Sequence, residues 1–238
     1  MGRKTTAVLG GVMSMLLMNL GFAWDSNKNI TVTTSSDPGK DYETVNGNVT
    51  VREGVQLDSS SEVSTVNGSI RIGESAVVGE VDTVNGSVKL GDFAKAESVN
   101  TVNGSIRMAE GVEIRGDVET VNGSLRLNSS GVVGGGMENV NGSIQIRGGR
   151  VDGSLVTYTG DILITEGGSV AGGLTVKKSR KSGWKWGDRK DPKIIIGPNS
   201  SIAGELVFER DVKLYVHDSA SVGRITGAEP ISFSDDEP

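Results

Sequence analysis

One repeated phrase limits what this chain can become. "TVNGSIRI" at residues 65–72 returns, little changed, as "TVNGSVKL", "TVNGSIRM", "TVNGSLRL" and "NVNGSIQI", and is anticipated by "TVNGNVTV" from Thr44. Its valine falls at Val45, Val66, Val84, Val102, Val121 and Val140, at intervals of 21, 18, 18, 19 and 19 residues. A near-constant period of this size marks a solenoid, in which one unit of chain is wound repeatedly into stacked layers.

The apolar residues inside each unit say what kind of solenoid. After Val66 come Ile70, Ile72, Val78 and Val81, after Val84 come Val88, Leu90, Ala96 and Val99, and after Val102 come Ile106, Met108, Ile114 and Val118. Apolar residues two apart read as strands with one face inward. A helical solenoid would need longer units with a 3.6-residue apolar period. A unit of this length divides into three strands and three corners. The expected fold is therefore all-β: a single-stranded, triangular parallel β-solenoid (β-helix) with 18–19 residues per coil. Gly, at 35 residues, and aromatics, at 4%, suit short strands and tight corners. Because Asn-Gly also opens hairpins, a stack of antiparallel hairpins is the alternative.

The spacing continues after the phrase fades, through Ile162, Ile164, Val170 and Leu174, then Ile194, Ile196, Ile202 and Leu206, then Leu214, Val216, Val222 and Ile225. This predicts about nine coils over 44–228 and a rod of roughly 40 Å. Residues 24–43 read as a capping strand at Ile30-Thr31-Val32 and a turn, and 229–238 as an acidic, disordered tail.

Identical units stack identical side chains. The valines of the phrase are expected to form an interior column. Asn46, Asn67, Asn85, Asn103, Asn122 and Asn141 are expected to form a ladder of hydrogen-bonded amides. The glycine after each Asn is expected to take a corner at positive φ. Asn-Gly-Ser is also a glycosylation sequon, but glycans at rung spacing of about 5 Å would collide, so the ladder is the better reading.

Residues 1–23 read as a signal peptide: Arg3-Lys4, an apolar run from Ala7 to Leu20, and Gly21-Phe22-Ala23 before a cleavage point. An uncleaved anchor is the other reading, although the run is short for a full span. The chain has no Cys, which leaves no disulfide, thiol nucleophile or thiolate metal site. Loss of Arg3 and Lys4 takes the net charge from −6 to −8, against a dedicated nucleic-acid binder.

Two features are candidates for binding. The stretch 177–193, "KKSRKSGWKWGDRKDPK", interrupts the period with Lys177, Lys178, Arg180, Lys181, Trp184, Lys185, Trp186, Arg189 and Lys190. Basic residues interleaved with Trp suit an envelope polysaccharide or an anionic membrane surface; a solubilising insertion is the plainer reading. Arg71, Lys89, Arg107 and Arg126 form an outward basic stripe, a track for a polyanion or a solvated face. Glu43, Asp82, Glu119 and Glu138 are expected to help offset its repulsion. No acid pair or metal cluster stands out. His217, the one histidine, falls at a turn of the last coil and reads as structural. No catalytic residue, metal or cofactor is expected.

The run "IIIGPNSSIAGELVFERDVKLYVHDSASVGRITG" resembles bactofilins, bacterial polymer-forming proteins with a triangular right-handed β-solenoid. The "TVNGSIRI" phrase resembles an adhesin-type solenoid domain of exported bacterial proteins. "IGESAV", "LGDFAK" and "IGPNSS" resemble the hexads of left-handed acyltransferase coils, which share the period, so the pattern alone does not fix handedness. The bactofilin resemblance implies a right-handed winding; the export signal departs from that family. The ends of such a rod expose unpaired strand edges, which either carry polar caps or pair head-to-tail, so a second copy of the chain, head-to-tail or lateral, is one expected partner. Together these features lead us to expect an exported, non-enzymatic structural or adhesin-like element of the bacterial envelope, periplasmic or outer-surface. The alternative is a glycan- or anionic-lipid-binding module acting through 177–193. A polysaccharide-acting or acyl-transferring solenoid enzyme is the third reading.

Overall fold

The computed structural model describes residues 27–35, 39–178, 191–235 and 238. The segment read as a signal peptide lies outside them. So do Arg180, Lys181, Trp184, Lys185, Trp186, Arg189 and Lys190.

The chain winds into a parallel β-solenoid of about 10 turns, with about 19 residues per coil and no helix among the described residues. Its strands line three sheets of eleven, ten and seven strands, and every pairing is parallel. The hairpin alternative fails on this point. Each strand pairs with its equivalents one coil before and after, as in Ile70↔Val88, Ile106↔Val88 and Ile106↔Leu125. At the usual strand spacing the rod is roughly 45–50 Å long. One coil more than expected arises at the N-terminal end, where Ile30–Val32 pairs with Val49–Val51 as the first strand of the eleven-stranded sheet.

Alternation within each short strand builds the core. Ile70 and Ile72 point inward while Arg71 points out, and the pattern recurs at Val88, Lys89 and Leu90. Each apolar chain that is fully enclosed contributes about 1.5–3 kcal/mol. The chain between Ile162 and Ile194 runs 32 residues instead of about 19, yet these two residues still pair, so the basic insertion leaves the stack unbroken.

The expectation for the valine column is wrong. Val45, Val66, Val84, Val102, Val121 and Val140 are only half-buried, at the corner. The threonine before each valine takes the inward place: Thr44, Thr65, Thr83, Thr101 and Thr120 are buried. The reason is a carbonyl. Thr65 Oγ1 donates to the Gly47 carbonyl at 2.8 Å, Thr83 to Gly68 at 2.9 Å, Thr101 to Gly86 at 3.0 Å and Thr120 to Gly104 at 3.0 Å. A valine there would leave that buried acceptor short of a partner. In "NVNG" the place falls to Asn139, whose amide reaches the Gly123 carbonyl at 3.5 Å and whose Oδ1 is buried without a partner.

The expected role of the glycines also needs correction. Of the phrase's glycines only Gly142 has a positive φ. The left-handed corner lies elsewhere, at Gly54, Ser75, Phe93, Gly111 and Ser130. Close approach is what requires Gly in the phrase: a Cβ on Gly68, Gly86, Gly104 or Gly123 would run into the carbonyl oxygen of the glycine one coil earlier. The tail is corrected as well. Pro230–Phe233 is a strand pairing with Lys213–His217, so it extends the eleven-stranded sheet by one rung.

Candidate functional site

Three sets of outward side chains run along the rod. The asparagines come first. Asn67 Nδ2 donates to Asn46 Oδ1 at 2.8 Å, Asn85 to Asn67 at 2.8 Å, and Asn103 to Asn85, Asn122 to Asn103 and Asn141 to Asn122 at 2.9 Å. The ladder starts one coil earlier than the phrase, at Asn27, and ends where Thr159 Oγ1 donates to Asn141 Oδ1 at 2.7 Å. Asn103→Leu removes two of these bonds. We expect a loss of about 1–2 kcal/mol and a melting point lower by roughly 3–6 °C. An unchanged calorimetric melting point would show that the ladder contributes nothing.

The second set is the basic stripe on the eleven-stranded sheet. Arg71, Lys89, Arg107 and Arg126 sit on four consecutive strands, directly in register. Arg126 Nε donates to Gln145 Oε1 at 3.1 Å; among the described residues the other three have no ion pair. Asn48, Ser69 and Ser87 edge a groove of about 480 Å³ beside Arg71, Lys89 and Arg107.

The third set is acidic, and it lies on another sheet. Glu43, Asp82, Glu119 and Glu138 face outward from the ten-stranded sheet, joined by Glu62 and Glu80. They therefore do not offset the basic stripe, because a solenoid corner separates the two columns. Burial, with repulsion from Asp82 and Glu43, pushes the Glu62 carboxyl up to about 7. Burial and the charges of Glu138, Asp117 and Asp82 do the same to Glu119, also to about 7. Burial raises Asp82 to about 6 against an opposing bond from Asn100, whose Nδ2 donates to Asp82 Oδ1 at 3.0 Å. Asp82 Oδ2 is sealed from water with no hydrogen-bond partner. Glu43 and Glu138 are also raised, by burial first. Among the described residues a cation reaches this column at one point, where Lys177 Nζ lies 3.9 Å from Glu138. Sequence reading missed Glu62 and Glu80, although Glu80 stands two residues before Asp82 and Glu62 pairs with Glu80 in register one coil earlier.

The remaining candidates have local duties. Lys177 lies over the Tyr158 ring at 5.5 Å, and the Lys178 N–H donates to Glu209 at 3.0 Å. His217 ends a strand and is not in a turn. Its Nδ1 accepts the Ser219 N–H at 3.0 Å, which leaves Nε2 to donate to the Ser234 carbonyl at 3.2 Å. With the Phe233 ring edge-on at 5.1 Å, the imidazole fastens the last strand to the rod. Among the described residues no group of three His, Cys, Asp or Glu is placed to hold a metal, and no helix is long and apolar enough to cross a membrane.

The fold and its columns define a parallel β-solenoid with differently charged faces. No family model, curated protein or solved structure matches the chain.

Proposed function

We propose that this chain is a non-enzymatic structural rod of the exported, adhesin-like kind, which extends by stacking end to end. The leader-like N-terminal sequence and the resemblance to polymer-forming bactofilins support this reading. The observation that carries it is the state of the C-terminal end. There, among the described residues, the seven-stranded sheet stops at Ser221–Val222 and the ten-stranded sheet at Ile225–Thr226, each paired on one side only. Val216, Val222 and Ile225 are half-buried, with the hydrophobic interior ending under them. Bare strand edges over an apolar interior form a template for another rung.

Sedimentation and electron microscopy of residues 24–238 test this. We expect thin filaments, lost in V222K/I225K while circular dichroism stays unchanged. A strictly monomeric protein at high concentration would end the proposal.

A further inference from the structure

We propose that copies of this rod also pair side by side, the basic stripe of one seated against the acidic face of the next. The partner is a second copy of this chain. Side-by-side pairing goes beyond end-to-end stacking and does not depend on it.

Both halves of the contact are on the molecule. The stripe sets Arg71, Lys89, Arg107 and Arg126 at rung spacing, about 4.8 Å apart, where like charges repel unless something compensates. On the acidic face Glu62 and Glu80 stack in one column, and Asp82, Glu119 and Glu138 lie in the column beside it, where Asn100 fills the rung between Asp82 and Glu119. The two runs also occupy the same stretch of rod. Glu62 and Arg71 belong to one coil, Glu80 and Lys89 to the next, and Glu119 and Arg126 to the fourth; the third, with Arg107, has Ser98 and Asn100 in the outward places. Two parallel rods with no axial shift therefore bring Arg71, Lys89 and Arg126 opposite carboxylates, while Arg107 meets the Asn100 rung between Asp82 and Glu119.

The shapes agree too. Arg71, Lys89 and Arg107 stand exposed on long stems, whereas Glu62, Glu80 and Glu119 are half-buried. Glu80, Asp117 and Glu119 line an open depression of about 440 Å³, where the one arginine, Arg115, is already paired with Glu97 at 2.8 Å. Asp82, on the same face, keeps one oxygen unpartnered. Burial has already stripped these carboxylates of part of their hydration, so an arriving guanidinium meets a smaller desolvation cost than at an open surface.

Further along, the outward places turn neutral: Leu163, Ile195 and Tyr215 on one sheet, Val156, Thr175 and Val207 on the other. The charged match is thus confined to about half the rod. A contact this narrow is weak and salt-sensitive for a single pair, and it multiplies along a filament. Because unlike faces meet, each pair keeps one stripe and one acidic face free, and pairing continues into bundles.

Sedimentation velocity and small-angle scattering of V222K/I225K protein test this apart from end stacking. We expect lateral pairs at low ionic strength that disperse at about 0.5 M salt. R71E/K89E/R107E and E62K/E119K, each made in that background, should associate about tenfold more weakly or worse alone, and regain affinity when mixed. Should a reversal misfold by circular dichroism, R71Q/K89Q/R107Q and E62Q/E119Q replace the pair, with loss of association expected of each. Single rods at low ionic strength, variants that associate like the parent, or folded reversals that do not recover on mixing would overturn the proposal. So would polygalacturonate binding that needs Arg71, Lys89 and Arg107 without any self-association, which would assign the stripe to an acidic polysaccharide.

Discussion

Gly104→Ala is expected to lower stability by about 3 kcal/mol or more, a larger loss than its single added methyl group suggests. The new Cβ would overlap the Gly86 carbonyl oxygen. That oxygen cannot retreat, because it accepts the Thr101 hydroxyl from the same coil as Gly104. The rungs cannot spread either, because the amide bonds from Asn103 to Asn85 and from Asn122 to Asn103, both 2.9 Å, hold their spacing. Gly54→Ala is the comparison. Its Cβ would meet nothing within 4 Å, but φ is +69°, so the cost is left-handed strain of about 1–2 kcal/mol. Urea unfolding of the two variants should therefore rank Gly104 well above Gly54. Equal losses would show that backbone conformation, and not rung contact, selects glycine in the phrase.

The second large effect is a stability that rises as the solution is acidified. Glu62 and Glu119 titrate near pH 7 and Asp82 near 6 in the folded rod, all above the ordinary carboxylate range. Between about pH 4 and 7 the folded state thus binds more protons than the unfolded chain, and unfolding free energy falls as pH rises through that window. The contribution is fully present below about pH 4 and lost by about pH 7. Asp82 alone accounts for on the order of 3 kcal/mol; Glu62 and Glu119, more open to water, contribute less each. Asp58, exposed and held low by bonds from the Ser60 hydroxyl and N–H, works in the opposite direction. Asp82→Asn keeps the acceptor for Asn100 and removes the stranded charge. It should raise stability at pH 7.5 by about 2–3 kcal/mol and flatten the pH dependence. A protein less stable at pH 5 than at pH 7.5 would contradict the account of the acidic face.

These results divide unevenly between what could be read in advance and what could not. The Asn ladder was legible because identical phrases must superpose once the chain is wound, so a residue repeated at every turn meets itself. The inward threonines were misread because hydrophobicity favoured the valine beside them. A signal was present: Val81 and Thr83, Val99 and Thr101, and Val118 and Thr120 are two apart, so strand alternation points both members of each pair inward. The last strand, Pro230–Phe233, looked like tail because its neighbours are acidic, and its pairing with Lys213–His217 rests on a contact between chain segments.

The order of residues was enough to settle the period and which residues are equivalent from coil to coil, since both follow from a repeat that can be counted along the chain, and it favoured the parallel winding that the strand pairing then established. Tertiary structure decided which columns share a face, which carboxylates lose their water and why glycine is required. Those depend on how sharply each corner turns and on which atoms of one coil press against the next. Such distances lie across the stack, perpendicular to the direction in which the sequence is written.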